Sequence, residues 1–312
     1  MRRRIVLGRR RHVFRPPHCP NAACERHANA PADFCINKGS YVTKHDRQTV
    51  PRYQCKTCKR TFGSRTFSPT ARQHKPAVNE PLGNLLSSGV TLRRSAKILG
   101  LARVTVGRKF AWLARIARKK HAAALTSEDA KSAYIQFDEM ETFMGNKMRP
   151  LSIALAVRAK TGQIVAARVA AMNCHGKLAA KSRSLYGPLI DTRDRARTNV
   201  LKVVGTIARS KITIATDGNG AYVPAIKKAL PQAKHVVHIG ARKKALAQQP
   251  APPQKKGKQP FDPLFRLNHT CAKIRADLSR MARRTWATTK RMWALQYHLD
   301  IYIAFNNGYE FG

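Results

Sequence analysis

The chain has 312 residues with 60 Lys and Arg against 16 Asp and Glu, a formal charge of +44, or roughly one net positive charge for every seven residues. An apolar fraction of 43% is enough for the buried cores of about two ordinary domains and excludes a merely disordered basic tail. No apolar run reaches the ~18 residues of a membrane span, and the basic opening offers only Ile5 to Leu7 as an apolar stretch, too short for a secretory signal, so a cytoplasmic protein is expected.

Such a surplus of cations calls for a polyanionic partner. Nucleic acid is the expected one, because Lys and Arg release counterions from phosphates. An anionic membrane surface would need an amphipathic helix with a bulky apolar face, and none stands out.

Residues 1–70 are rich in Cys, Pro and Arg and poor in aliphatics, which predicts a small metal-stapled module. Five of the seven cysteines fall here, and an odd number in a cytosolic protein argues against a disulfide framework. Cys19-Pro-Asn-Ala-Ala-Cys24 and Cys55-Lys-Thr-Cys58 read as two thiolate knuckles, the usual way to supply tetrahedral zinc with four soft ligands. Phe62 is placed to pack behind the metal. Cys35 is left over and can replace Cys24, while His18 and His27 compete for the same position.

Residues 71–128 predict helices and a DNA-binding helix-turn-helix. In TLRRSAKILGLARVTVGRKFAWLARIA, the small Ala96 lets two helices approach, Gly100 makes the turn, and Val106 packs the second helix on the first. Thr105, Arg108 and Lys109 are then expected to face a major groove or its phosphates.

From about 132 the texture changes to strands. YIQFD is a short apolar run, LSIALAV and TGQIVAARVA form a hairpin about Thr161-Gly162, and KITIATD is a further buried strand followed by the turn residues Gly218-Asn219-Gly220. A helix is expected at AYVPAIKKAL. Residues 241–263 read as a flexible basic insert, followed by a long basic helix from about Leu267, a break near Thr288 and a final helix through HLDIYIAF. Trp286, Trp293 and Tyr297 are expected in the core.

Two of the few acids end apolar strands, Asp138 after YIQF and Asp217 after TIAT. An acid at the end of a buried strand needs cationic compensation. On neighbouring strands the two can hold Mg²⁺, whose preferred ligands are hard oxygens.

The blocks FDEMETFMGNKMRPLSIALAVRAKTGQIVA, TIATDGNGAY and RLNHTCAKIRADLSRMARRTWATTK resemble the three motif blocks of DDE-type transposases, most of all the insertion-element transposases of the InsA/InsB type. Those proteins also begin with a zinc-binding cysteine module and a helix-turn-helix, so the resemblance runs over nearly the whole chain. It implies an α/β multidomain protein. A zinc-ribbon-like module and a helix-turn-helix would precede a ribonuclease H-like mixed sheet flanked by helices, over residues 129–312. The implied activity is Mg²⁺- or Mn²⁺-dependent cleavage of element ends and strand transfer into target DNA. Double-stranded DNA and further copies of the chain would be its partners, and a prokaryotic nucleoid its place.

On this resemblance Asp138 and Asp217 are the first two metal-binding catalytic residues, and Asn268 stands where the family pattern has Glu. Asn offers a carbonyl oxygen without the charge. Asp262, Glu139 and Glu141 are the acids that can substitute, although alternation along a strand turns Glu139 and Glu141 to the face opposite Asp138. Arg275, Arg280, Arg284 and Lys290 are expected to grip the DNA backbone beside the metals. Two other readings remain open: a transposase-derived DNA-binding protein that has lost catalysis, and a ribonuclease H-like nuclease acting on RNA or repair intermediates.

Overall fold

The computed structural model describes residues 14–44, 46–239, 262–282 and 285–309, so most of the expected basic insert at 241–263 lies outside the described residues. The chain forms two compact units, Met1–Val78 and Asn79–Gly312. The helices expected as a separate domain over 71–128 therefore belong, from Asn79 onward, with the sheet that follows them.

The first unit carries helix α1 (Glu25–Ala28) and strands β1 (Cys35–Val42), β2 (Thr49–Cys55) and β3 (Thr61–Gly63), paired antiparallel in the order β1-β2-β3. With few aliphatics available, its core is built from rings and thiols: Phe34, Tyr53 and Phe62 pack with Cys19, Cys24 and Cys55.

The second unit opens with helices α2 (Asn79–Ser87), α3 (Leu92–Ile98) and α4 (Arg103–Ala124). Thr91 caps α3 by accepting the Arg94 N–H through its hydroxyl. The turn into α4 is a Schellman closure, with Leu101 N–H on Ala96 O at 2.9 Å and Gly100 N–H on Lys97 O at 3.4 Å. It requires the left-handed φ of +59° that Gly100 supplies. Val106, Phe110, Leu113, Ala114 and Ala117 form the buried stripe of α4, and Ala96 packs against it from α3.

The sheet comprises β4 (Ser132–Met144), β5 (Asn146–Arg158), β6 (Ile164–Ala171), β7 (Ala208–Asp217) and β8 (Lys234–His238), in the order β6-β5-β4-β7-β8. β5 runs antiparallel to both its neighbours, while β4, β7 and β8 are parallel. Helices α5 (Ala179–Tyr186) and α6 (Arg193–Thr206) lie between β6 and β7, and α7 (Tyr222–Ala229) joins β7 to β8. The last helices are α8 (Phe265–Asp277) and α9 (Met292–Asn306).

Strand alternation sorts the two cores. Ile135, Phe137, Ala154 and Ala156 face α6 and α7, whereas Met140, Ile153, Leu155 and Val157 face α8 and α9. Covered on both sides, β5 is buried almost continuously from Leu151 to Val157.

α9 is apolar around most of its circumference because it is buried on two sides. Leu295, Leu299, Tyr302 and Ile303 pack toward the sheet, and Ile301 and Ala304 join the core of α2, α3 and α4. Arg118 of α4 bonds the buried Asp300 carboxylate, and His121 meets the Val165 carbonyl at 2.8 Å. The α2–α3 turn also docks on the end of α8: Gly89 O accepts the Ser279 hydroxyl, and a Cβ at Gly89 would stand 2.5 Å from Asp277 O.

The expected long basic helix after Leu267 is shorter than the sequence suggested. α8 stops at Asp277, whose carboxylate accepts the Tyr302 hydroxyl, and a 3-10 turn then buries Met281. The tryptophans also depart from expectation: Trp286 is fully exposed and Trp293 about half exposed, while Tyr297 is partly buried against the α2–α4 core. No helix among the described residues is long and apolar enough to cross a membrane.

Candidate functional site

The chain leaves β4 for β5 and β6 on one side, then crosses to β7 and β8 on the other. This makes the β4–β7 boundary the switch point of the sheet, the place where open α/β sheets commonly bind ligands. Both aspartates lie there. Gln136 pairs with Ala215 in the parallel register, so Asp138 and Asp217, each two residues further on, stand at the same level on adjacent strands. β7 ends at Asp217, while β4 runs on to Met144 beside β5.

Asp138 is half-buried, and its carboxyl is pushed up to about 6, chiefly by burial, with the charges of Asp217 and Glu139 adding to the effect. Two hydrogen bonds act the other way and both fall on Oδ1: the Tyr222 hydroxyl donates at 2.8 Å and the Glu139 N–H at 2.7 Å. Asp217 Oδ1 accepts the Asn219 N–H at 2.9 Å, which closes the turn after β7. Beside it His238 is the register partner of Asp217, and Thr216 bonds His235 at 2.8 Å. Two carboxylates level on adjacent strands offer hard oxygens of the kind that divalent cations prefer.

Asn268 lies on α8, which crosses the Asp138 face of the sheet. Buried Gln136 fastens the start of this helix, donating to Pro263 O at 2.7 Å and accepting the Leu267 N–H at 2.8 Å. Asn268 is exposed, and its amide donates to Asp262 Oδ2 at 2.8 Å. Asp262 and Asn268 thus form a pair beside Gln136, two residues before Asp138. Further along α8, burial pushes the Cys271 thiol up to about 12, with the Asp138 charge adding and Arg275 opposing.

Glu139 turns to the opposite face, as alternation requires. Its carboxylate meets Arg197 of α6 at 3.0 Å, with both side chains almost fully buried. Glu141 is exposed and lines a cavity near the β4–β5 turn with Phe143, Lys147, Cys174 and His175. Glu141, Cys174 and His175 do not converge there as a ligand set: among the described residues, the only group of three or more Cys, His, Asp or Glu with ligand atoms within 4.8 Å of one another is in the first unit.

That group is Cys19, Cys24, Cys55 and Cys58, the four expected knuckle residues. Cys19 and Cys58 sulfurs are 3.6 Å apart and Cys24 and Cys55 sulfurs 3.9 Å apart. Tetrahedral zinc with ~2.3 Å bonds separates its sulfurs by ~3.8 Å, so the four can bind a metal such as zinc. The Arg60 backbone hydrogen bond draws the Cys58 thiol down to about 6, whereas burial pushes Cys19 up to about 12. Cys35 stands opposite Cys55 in the β1–β2 register, outside the four. His18 and His27 both meet the Cys19 carbonyl through Nδ1.

The expected DNA-facing residues divide. On α4, Arg108 is exposed and Thr105 half-buried, but Lys109 is 6% exposed and its ammonium donates to Asn79 Oδ1 at 2.7 Å. Lys109 falls within the Val106–Phe110–Leu113 stripe, which turns it inward, and burial lowers its pKa. Arg103, Arg108 and Arg115 supply the outward cations instead. Arg280 follows the end of α8, and burial lowers its guanidinium to about 10 as it packs near His298. Arg280 is half-buried in the 3-10 turn that follows the helix, and so is not a member of a helical cation row. Lys290 is exposed with its ammonium on Thr288, and Arg284 lies outside the described residues.

Sequence reasoning missed Gln136, Arg197 and Tyr222. Gln136 sat in plain view within an apolar strand, where a buried amide must find partners. The reach of Tyr222 depends on strand register and left no local signal. No protein-family model matches this chain, and no curated protein matches it.

Proposed function

We propose that the chain is a DNA transposase that binds the ends of an insertion element and catalyses metal-dependent strand cleavage and strand transfer. The observation that carries this reading is the pair Asp138 and Asp217, level with one another on adjacent parallel strands, Asp217 at the end of β7. The five-stranded mixed sheet with helices on both faces supports a ribonuclease H-like core. The Schellman turn at Gly100 between α3 and α4, with Arg108 outward, supports a helix-turn-helix, and the four-cysteine cluster supports a zinc-ribbon-like module. The charge of +44 supports a nucleic-acid partner, while duplex DNA, a prokaryotic nucleoid and a multimer on paired ends follow from the resemblance to insertion-element transposases alone.

Asp138, Asp217 and either Asn268 or its partner Asp262 would hold the divalent cations. Bound Mg²⁺ or Mn²⁺ supplies Lewis-acid stabilisation of the attacking and leaving oxygens of a phosphodiester. The protein's own part is to fix both carboxylates at one level and to grip the duplex.

The test is joining of a pre-nicked end, taken from inverted repeats flanking the gene, into plasmid DNA with Mg²⁺ or Mn²⁺. Joining is expected with wild type and lost with Asp217→Ala. Loss with Asn268→Ala assigns the third ligand to Asn268, and loss with Asp262→Ala instead assigns it to Asp262. A second reading, a transposase-derived DNA-binding protein, is favoured by two observations: Asn268 gives its amide to Asp262, and among the described residues no third acid forms a ligand cluster with the two aspartates. Intact DNA binding without joining, with activity gained in Asn268→Asp or Asn268→Glu, establishes it.

A further inference from the structure

Asp138 and Asp217 come from positions 79 residues apart, and one side chain ties their segments together. Tyr222 opens α7 at the end of the turn that begins with Asp217. That turn is fastened at three points: Asn219 N–H on Asp217 Oδ1 at 2.9 Å, Ala221 N–H on Asn219 Oδ1 at 3.1 Å, and Tyr222 N–H on Asn219 O at 3.1 Å. The Tyr222 side chain is 1% exposed and its ring lies edge-on to Phe137 with centroids 5.1 Å apart. From there its hydroxyl crosses to β4, donating to Asp138 Oδ1 at 2.8 Å and accepting the Glu139 N–H at 3.1 Å.

A buried tyrosine needs some partner for its hydroxyl, and a backbone carbonyl would serve for packing alone. Here the partner is a carboxylate, and both of its hydrogen bonds land on Oδ1. Oδ2 has no hydrogen-bond partner among the described residues and is the oxygen left to a cation. A carboxylate held at one oxygen loses less rotational freedom when the other binds. The same contact pins the turn carrying Asp217 to the strand carrying Asp138, and so sets the spacing of the pair.

The geometry points to Tyr222 as a positioning residue for a divalent-cation site between Asp138 and Asp217. It orients the Asp138 carboxylate and fixes its distance from Asp217, without itself touching the cation or DNA. This rests on the two-aspartate cation site proposed above.

The test is Mn²⁺ binding to the full, zinc-loaded chain without DNA, read by loss of the free-ion electron paramagnetic resonance signal. Wild type, Asp138→Ala, Tyr222→Phe and Tyr222→Ala are compared. Partners that orient metal ligands typically contribute ~10- to 100-fold in affinity, so Tyr222→Phe should raise the Mn²⁺ Kd by ~10-fold or more. Because Phe keeps the ring against Phe137, its near-ultraviolet circular dichroism and DNA affinity should stay at wild-type values. Equal Mn²⁺ Kd for wild type and Tyr222→Phe, with Asp138→Ala binding no ion, overturns the positioning role and leaves the cation site standing. Equal binding by wild type and Asp138→Ala removes the cation site, and the role of Tyr222 with it. Should Tyr222→Phe fail to fold, Asn219→Ala, which loosens the same turn, must weaken Mn²⁺ by a smaller factor, and an unchanged Kd there overturns the proposal.

Discussion

Replacing Arg197 by Met should strand the Glu139 carboxylate in the interior. The two side chains are 6% and 7% exposed, and their one contact is 3.0 Å long. Among the described residues Glu139 Oε1 and Arg197 Nε have no hydrogen-bond partner, so the pair is only half satisfied. Breaking a buried pair from one side costs ~3–5 kcal/mol, because a charge remains without compensation. The second contact of Arg197, to Asp194, involves a carboxylate that is 97% exposed and adds little. Replacing both partners, Arg197→Met with Glu139→Leu, removes both desolvation penalties and should recover most of the loss. All three tryptophans (112, 286 and 293) lie in the second unit, so urea denaturation followed by tryptophan fluorescence reads this unit alone. A single-variant cost under ~1 kcal/mol at pH 7, or a double variant equal to the sum of its singles, would refute the argument.

Burial holds the Asp138 carboxyl at about 6 against an ordinary 3.8, so this group favours folding below about pH 4 and loses that contribution as pH rises through 6. The loss is about 3 kcal/mol, from about 2.2 pKa units at 1.36 each. Asp138→Asn should flatten that part of the stability–pH curve in the absence of divalent cations, and an unchanged curve in urea titrations at pH 4.5 and 7 contradicts it. Arg108→Ala should weaken DNA binding and reduce the slope of log K against log salt by about 1 without changing stability. Lys109→Ala should instead cost ~1.5–3 kcal/mol of stability and leave the salt slope unchanged. Removing zinc with a chelator, or making Cys55→Ser, should unfold the first unit and leave the tryptophan-reported transition in place. Loss of both transitions together would show that the second unit depends on the metal.

Much of the site was legible where the signal is local. The cysteine spacing foreshadowed the four-thiol cluster, Gly100 the left-handed turn, Thr161-Gly162 the β5–β6 hairpin, and the acid after TIAT its place at the end of β7; Asp138, expected to end a strand, lies inside β4, which runs on to Met144 because β5 keeps pairing with it. Alternation also sent Glu139 away from Asp138 correctly. What failed was the reading of charge as exposure. Lys109 sits three residues after Val106 and beside Phe110, so the helical period already put it on the apolar stripe. Arg280 looked like one of a helical row because no break is written between Leu267 and Met281. The helix ends where Asp277 meets Tyr302 and Ser279 meets Gly89, contacts made with distant segments. Trp286 shows the converse, a large apolar residue left in solvent.

The double-faced burial of α9 has a consequence for protein engineering. Cutting after Leu125 would separate α2–α4 from Ile301, Ala304 and Asp300, leaving two half-cores with apolar faces in water. Grafting these helices from one such chain to another therefore means grafting the outer face of α9 as well. Lengthening the 125–131 connection with glycines should not let α4 drift from the sheet, because the connection is not what holds them together. The interval between Arg108 and the two aspartates is thus set like a mark on a rigid ruler. Any preferred offset between a gripped DNA sequence and a cut backbone would be changed by repacking Ile301 and Ala304, not by altering the loop.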